Sequence, residues 1–226
     1  MTKRSGEYKQ KGDYHLKLDK KWPYYPIYIL KREWVEKQLS KLNGKIVDMG
    51  CGEGVLINHY LKQGYEIEGI DLNYSSKEVK KGDITNLPYK DSSADVCLLL
   101  DVLEHLSFNQ QEKALKEVKR VLKKGGTLLI AVPNLAHFAS RLTFLFLGKL
   151  LRTSGADRHP GDRPIEEYLK LLNKDFKIIK RTGIFPTFPL ISFLTLKFPS
   201  KTIWLHRIYS KVWPNWCLEN LIVCKN

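Results

Sequence analysis

Three glycines at alternate positions, Gly50, Gly52 and Gly54 in VDMGCGEG (residues 47–54), are the residues of this sequence best suited to cradle a ligand. Without Cβ atoms they let the backbone turn sharply and approach a bound molecule closely. An apolar stretch precedes them and a helical one follows, so the loop opens onto a helix start whose free N–H groups face negative charge. Asp71, in EGIDL (68–72), ends the next apolar stretch. A carboxylate there can accept two hydrogen bonds from vicinal ribose hydroxyls. The G-x-G-x-G spacing departs from the G-x-G-x-x-G of nicotinamide enzymes, which argues against hydride transfer. His105, His137 and His159 fall in post-strand regions and are candidate proton acceptors, whereas His15, His59 and His206 fall elsewhere. Arg158 and Arg163 could bind a phosphate or carboxylate bidentately.

Strands and helices in alternation must hold these groups. The spacing predicts a helix over Tyr24–Leu42, stopped by Asn43-Gly44, then a strand Lys45–Met49 and a helix Val55–Lys62. Strands are expected at Tyr65–Asp71, Ala94–Asp101 and Thr127–Val132, with a helix Gln110–Lys123 ended by Gly125-Gly126. Strands apolar on both faces imply a mostly parallel sheet with helices on both sides, an α/β architecture. Beyond Pro133 a helix Leu135–Leu151, a polar loop Asp157–Pro164, a helix Ile165–Leu172 and strands Phe176–Ile184 and Leu218–Cys224 follow. Residues 134–164 and 185–213 read as lid insertions over the carboxyl edge of the sheet, where such sheets bind ligands. Residues 1–20 are basic, nearly free of aliphatics, and read as a mobile arm before a single domain over 21–226.

The motifs VDMGCGEG (47–54), EGIDL (68–72), KGDITNLPY (81–89), LLLDVLEHL (98–106) and LKKGGTLLIAVPN (122–134) resemble the class I methyltransferases that use S-adenosylmethionine (SAM). More narrowly, the chain is similar to their type 11, ubiquinone-biosynthesis-like group, closely over about residues 44–135. The resemblance implies a Rossmann-like class I methyltransferase fold, an enzyme, and SAM as cofactor. It places Asp48 and the loop residues Gly50, Cys51, Gly52 and Gly54 around the methionine moiety, and Asp71, with Leu72 beside it, on the ribose. Asp83 would accept from the adenine amino group while Ile84 packs on the ring, and Leu100 and Asp101 would lie beside the cofactor. In the family a helix and a third strand usually fill the span between the ribose aspartate and the Gly-Asp pair. Here Asn73–Lys81 is so short that the helix is expected to be missing or cut to one turn. In some relatives a Glu-x-x-Glu-His element binds a divalent metal; here Asp101-x-x-Glu104-His105 reads as capping and pocket shaping, with no metal.

For the acceptor, a hydroxyl must lose its proton, and His137 or His159 is the expected base, with Arg158 as orienting cation. The expected acceptor is a small molecule: a saccharide, a lipid-linked group or a quinone-like hydroxyl. The alternatives are RNA, drawn by the net charge of +14, and SAM binding without catalysis. No RNA-binding module or Asn-Pro-Pro-Tyr element is present in the sequence, which makes nucleic acid the weaker reading. Four cysteines without paired spacing point to free thiols in a reducing cytoplasm. No apolar run reaches the ~18–20 residues that span a bilayer. The uncharged Ile184–Leu196 segment, followed by lysines and tryptophans, is expected either to form a plain lid or to make peripheral contact with an anionic membrane.

Overall fold

The structure, a computed structural model, describes residues 18–226. Most of the basic 1–20 arm expected from the sequence lies outside those residues. Seven strands form one sheet: β1 (Ile46–Met49), β2 (Ile67–Asp71), β3 (Val79–Lys81), β4 (Ala94–Leu100), β5 (Leu122–Pro133), β6 (Lys177–Pro186) and β7 (Cys217–Lys225). Their order is β3-β2-β1-β4-β5-β7-β6, with β7 antiparallel to both neighbours and the first five strands parallel. All four residues of β1 and most of β4 are buried, as strands covered on both faces must be. One apolar cluster built around Leu99, Leu115, Ile130 and Tyr168 packs on one side, and another around Val35, Leu98, Leu129 and Leu221 on the other. The Rossmann-like α/β fold read from the sequence is the fold observed.

The helices are α1 (Tyr25–Leu39), α2 (Val55–Leu61), α3 (Phe108–Val121), α4 (Phe138–Leu147), α5 (Ile165–Leu172), α6 (Pro189–Lys197) and α7 (Ile203–Val212). In α3, Gln111, Ala114, Leu115, Val118 and Val121 are the buried residues, so one stripe faces the sheet. Its start is fixed by Gln110, whose Oε1 accepts the Ser107 N–H at 3.0 Å.

Strand β5 and helix α4 depart from the sequence expectation, each for a physical reason, while the short link after β2 matches it. Strand β5 begins at Leu122 rather than Thr127, because the Gly125-Gly126 turn is paired: Gly125 N–H donates to Asn226 O and Asn226 N–H to Gly126 O, each at 3.1 Å. Helix α4 starts only at Phe138, where the His137 ring accepts the Ser140 N–H, and stops at Gly148 in the left-handed region at φ +63°. No helix forms between β2 and β3; the chain runs from Asp71 to a three-residue edge strand, as its shortness requires. The exposed Lys80 and Lys81 guard that edge against pairing with another chain.

Candidate active site

The carboxyl ends of β1, β2 and β4 converge on the glycine loop. Gly50, Gly52 and Gly54 all hold positive φ, at +77°, +56° and +76°. A Cβ on Gly50 would lie 2.5 Å from Val102 Cγ2, so the segment after β4 rests directly on the loop. Gly52 N–H donates to Asp71 Oδ2 at 2.9 Å and Asn73 N–H to Asp71 Oδ1 at 2.8 Å. Each carboxylate oxygen keeps a second lone pair for a ribose hydroxyl. Gly82 N–H donates to Asp71 O at 3.0 Å, which ties the Gly82-Asp83 pair to Asp71 without an intervening helix. Asp83 is exposed and uses Oδ1 on Thr85 N–H at 2.8 Å, while Ile84 is buried. Leu72 is exposed and Leu100 half-buried at the same edge.

Asp48 is buried behind the loop, and burial first, then the Asp71 charge, pushes its carboxyl up to about 7. The neighbouring Cys51 thiol is pushed well up by burial and by the charges of Asp48 and Asp71, so it stays a thiol. The glycine loop, the buried Asp48 carboxyl and the Asp71 carboxylate with acceptor sites to spare form a donor set that fits the SAM implied by the sequence motifs. Asp48 suits a positively charged methionine moiety only when ionised. SAM affinity measured by calorimetry should therefore rise as pH passes upward through about 7. Below that pH a cation must first displace the proton. Asp48→Asn should bind more weakly and lose that rise; a variant with the wild-type pH profile would remove Asp48 from the site.

On the other side of Val102 lies a charged cluster that sequence reading missed. Lys31 of α1, nearly fully buried, forms ion pairs with Asp101 and with Glu219 of β7, the latter at 2.9 Å. Burial alone would depress the Lys31 ammonium, but the charges of Asp101 and Glu219 outweigh it and hold the pKa above the ordinary lysine value. Burial, then the Asp101 charge, raises Glu219; the same two causes raise Glu104. Two carboxyls thus share one ammonium, and Glu104 feels the same charges without pairing to it. Asp101 has φ +57° and Phe185 φ +59°, two strained non-glycine positions, and α1 meets both. Lys31 takes Asp101, while Tyr24, the residue before α1, packs on the Phe185 ring at 6.2 Å. The signal for Lys31 was present as a lone lysine on the apolar stripe of α1; only the fold reveals what it faces.

The predicted acceptor residues stand in two separate networks. His137 Nε2–H donates to Leu151 O at 3.3 Å, and Nδ1 accepts from Thr187 Oγ1 at 2.9 Å and from Ser140 N–H at 3.3 Å. Burial pushes this ring down to about 4, and in this arrangement it caps α4 and fastens it to the segment before α6. His159 accepts or donates at Nδ1 with Thr153 Oγ1 at 3.2 Å and lies 3.5 Å from Asp162 Oδ1. Its ring meets His105 edge-on at 4.6 Å, and Arg158 supplies the backbone carbonyl that His105 Nδ1–H donates to at 3.0 Å. Glu104, His105 and His159 bring ligand atoms within 4.8 Å of one another, a donor set able to hold a divalent ion. Asp101, first residue of the sequence motif, is engaged with Lys31 instead.

The four cysteines are free thiols, and none of the helices is long and apolar enough to cross a membrane among the described residues. The family model described as a methyltransferase domain matches residues 47–130. A tRNA (carboxymethyluridine(34)-5-O)-methyltransferase of Arabidopsis thaliana is 35% identical over 96 residues, 38% of this chain and 23% of that protein. A norajmaline N-methyltransferase of Rauvolfia serpentina is 34% identical over 110 residues, 40% of this chain and 36% of that protein. The chain spans less than half the length of the curated relatives it matches. The solved PH0226 protein of Pyrococcus horikoshii shares the fold with TM-score 0.65 at 16% identity, covering 98% of this chain and 99% of that one. Residues 47–130 thus match a methyltransferase domain, carried on a fold that the solved Pyrococcus horikoshii structure shares.

Proposed function

We propose that the chain methylates a small-molecule acceptor, a saccharide, lipid-linked or quinone-like hydroxyl, bound between the glycine loop and the α1 roof. The observation that carries this reading is the buried Lys31–Asp101–Glu219 cluster beside Val102, next to the cofactor cradle and under a helix. Bound SAM supplies an electrophilic methyl group on its sulfonium, already activated, so the protein has to align the acceptor and exclude water. Helix α1 and Phe185 exclude water from above. Lys31 fixes the two carboxyls, and the Glu219 carboxylate, lifted by burial, accepts the hydroxyl proton. A base raised from the ordinary carboxylate range is better matched to an alcohol or phenol proton near neutral pH.

Two measurements test this. In cell-extract fractions given radiolabelled SAM, label should enter small molecules or lipid; label in RNA would replace this reading with nucleic-acid methylation, the activity the Arabidopsis relative is named for. With an acceptor in hand, Glu219→Gln and Asp101→Asn should keep SAM affinity and lose about two to four orders of magnitude in turnover. Glu219→Gln should also lose the fall in rate on the acid side of the pH profile. Full turnover in both variants would remove the cluster from catalysis and return attention to His159.

A further inference from the structure

Two stretches around α4, α6 and α7, the first ending before the Asp157–Pro164 loop of its lid and the second reaching slightly past 185–213, have a composition unlike the rest of the chain. Residues 134–156 and 183–216 together carry seven lysines and arginines and no aspartate or glutamate. All seven, from Arg141 to Lys211, are exposed. Within the same segments lie four consecutive apolar residues at the end of α4, Phe144, Leu145, Phe146 and Leu147, each between 58% and 75% exposed. Successive helix residues point about 100° apart, so four in a row face every direction around the axis. An apolar helix end exposed on all sides cannot be covered by one flat protein partner, which would bury a single stripe. A fluid apolar medium can surround it.

The neighbouring helices repeat the pattern as stripes. Leu190, Phe193 and Leu196 recur at a spacing of three along α6, and Trp204, Ile208 and Val212 at a spacing of four along α7; all six are exposed. The three helices are joined at their bases by one aromatic cluster. Phe138 of α4 lies 4.8 Å from Phe188, the residue before α6, and Phe188 lies 5.4 Å from Trp213, the residue after α7. Thr187 Oγ1 reinforces the joint by accepting the Ala139 N–H at 3.0 Å. Two of the seven cations meet acids elsewhere, Arg207 on Glu33 and Arg152 on Asp162. Lys197 and Lys201 flank the half-exposed Phe198 ring at 5.6 and 5.8 Å. Cations beside exposed Trp, Phe and Leu, with acids excluded, match the headgroup boundary of a negatively charged bilayer.

We infer that α4, α6 and α7 form a docking surface for an anionic phospholipid membrane, with the α4 end entering the acyl boundary and the lysines meeting the phosphates. Among the described residues no helix is long and apolar enough to cross the bilayer, and the attachment inferred is peripheral and reversible. This holds whatever the methyl acceptor is, since the surface lies on the lids and not in the cofactor cradle.

The full chain should co-sediment at low salt with vesicles of phosphatidylcholine mixed with phosphatidylglycerol, and far less with phosphatidylcholine alone. Raising the salt should release it, because each surface cation adds about 1 kcal/mol, roughly fivefold, only while unscreened. Phe144→Ser with Phe146→Ser, and separately Phe193→Ser with Trp204→Ser, should each lower the partition by about tenfold or more. Calorimetric SAM affinity should stay unchanged in both, which separates this result from any failure of the enzymatic reading. No sedimentation with anionic vesicles at low ionic strength would overturn the inference. So would a wild-type dimer that binds no vesicle and that Phe144→Ser with Phe146→Ser converts to monomer, which would mean that a second copy covers the surface.

Discussion

Gly52→Val should leave the protein folded and raise the SAM dissociation constant by at least about a hundredfold, near 2.7 kcal/mol. Gly52 is buried at φ +56°, and its N–H holds Asp71 in place at 2.9 Å. A β-branched residue is a genuine outlier at positive φ, because its γ-carbons clash with the backbone carbonyls. The loop must then either shift, which releases the Asp71 carboxylate from its donor, or keep its path with two methyl groups standing in the cradle. Both outcomes remove the cofactor. Gly64→Ala provides the control: it also has positive φ, at +85°, but nothing lies within 4 Å of its added Cβ. It should cost about 1 kcal/mol of folding stability and leave SAM binding intact. Calorimetry together with thermal unfolding separates the two. Equal affinity in Gly52→Val and wild type would dissolve the glycine-loop assignment.

Lys31→Met should be the most destabilising single change outside the apolar core, by about 3–5 kcal/mol. Methionine fills a similar volume, so the loss reports charge and not packing. The substitution strips the ammonium from Asp101 and Glu219 while both stay buried near Glu104. Its sign with pH follows from Glu219, an acid whose folded-state pKa is raised. Such a group favours the folded state below its unfolded pKa and loses that contribution as pH rises through the folded value. Without Lys31 the Glu219 pKa rises further. The penalty of Lys31→Met should therefore be large at neutral and alkaline pH and shrink below the ordinary glutamate range, where Glu219 is protonated in both states. Adding Glu219→Gln should recover part of the loss, since neighbours in one network are not additive. Urea denaturation at two pH values measures both effects; a penalty independent of pH would mean that Lys31 acts through packing alone.

The parallel half of the sheet was legible in the sequence because its strands are apolar on both faces, as in Val96–Leu99, and its helices carry one buried stripe, as in α3. The tight loop after β1 was legible because glycine at Gly50, Gly52 and Gly54 satisfies a backbone need that no other residue meets at low cost. The shortened link after Asp71 could be read from chain length alone. The boundaries at Gly125 and Phe138 could not, because they depend on the chain end at Asn226 and on Thr187, both remote in sequence. Thr187 also set the environment of His137. On sequence grounds His137 was an available base, but the tertiary structure commits both of its nitrogens. Lys31 illustrates the same limit from the other direction. Its place on the apolar stripe of α1 marks it, but says nothing of what it faces. Only the fold brings Asp101 from 70 residues away, together with Glu219 of the last strand, to one buried ammonium. Periodicity and backbone freedom are local properties and survive in one dimension; the partner of a charge is fixed by topology, and a sequence does not carry it.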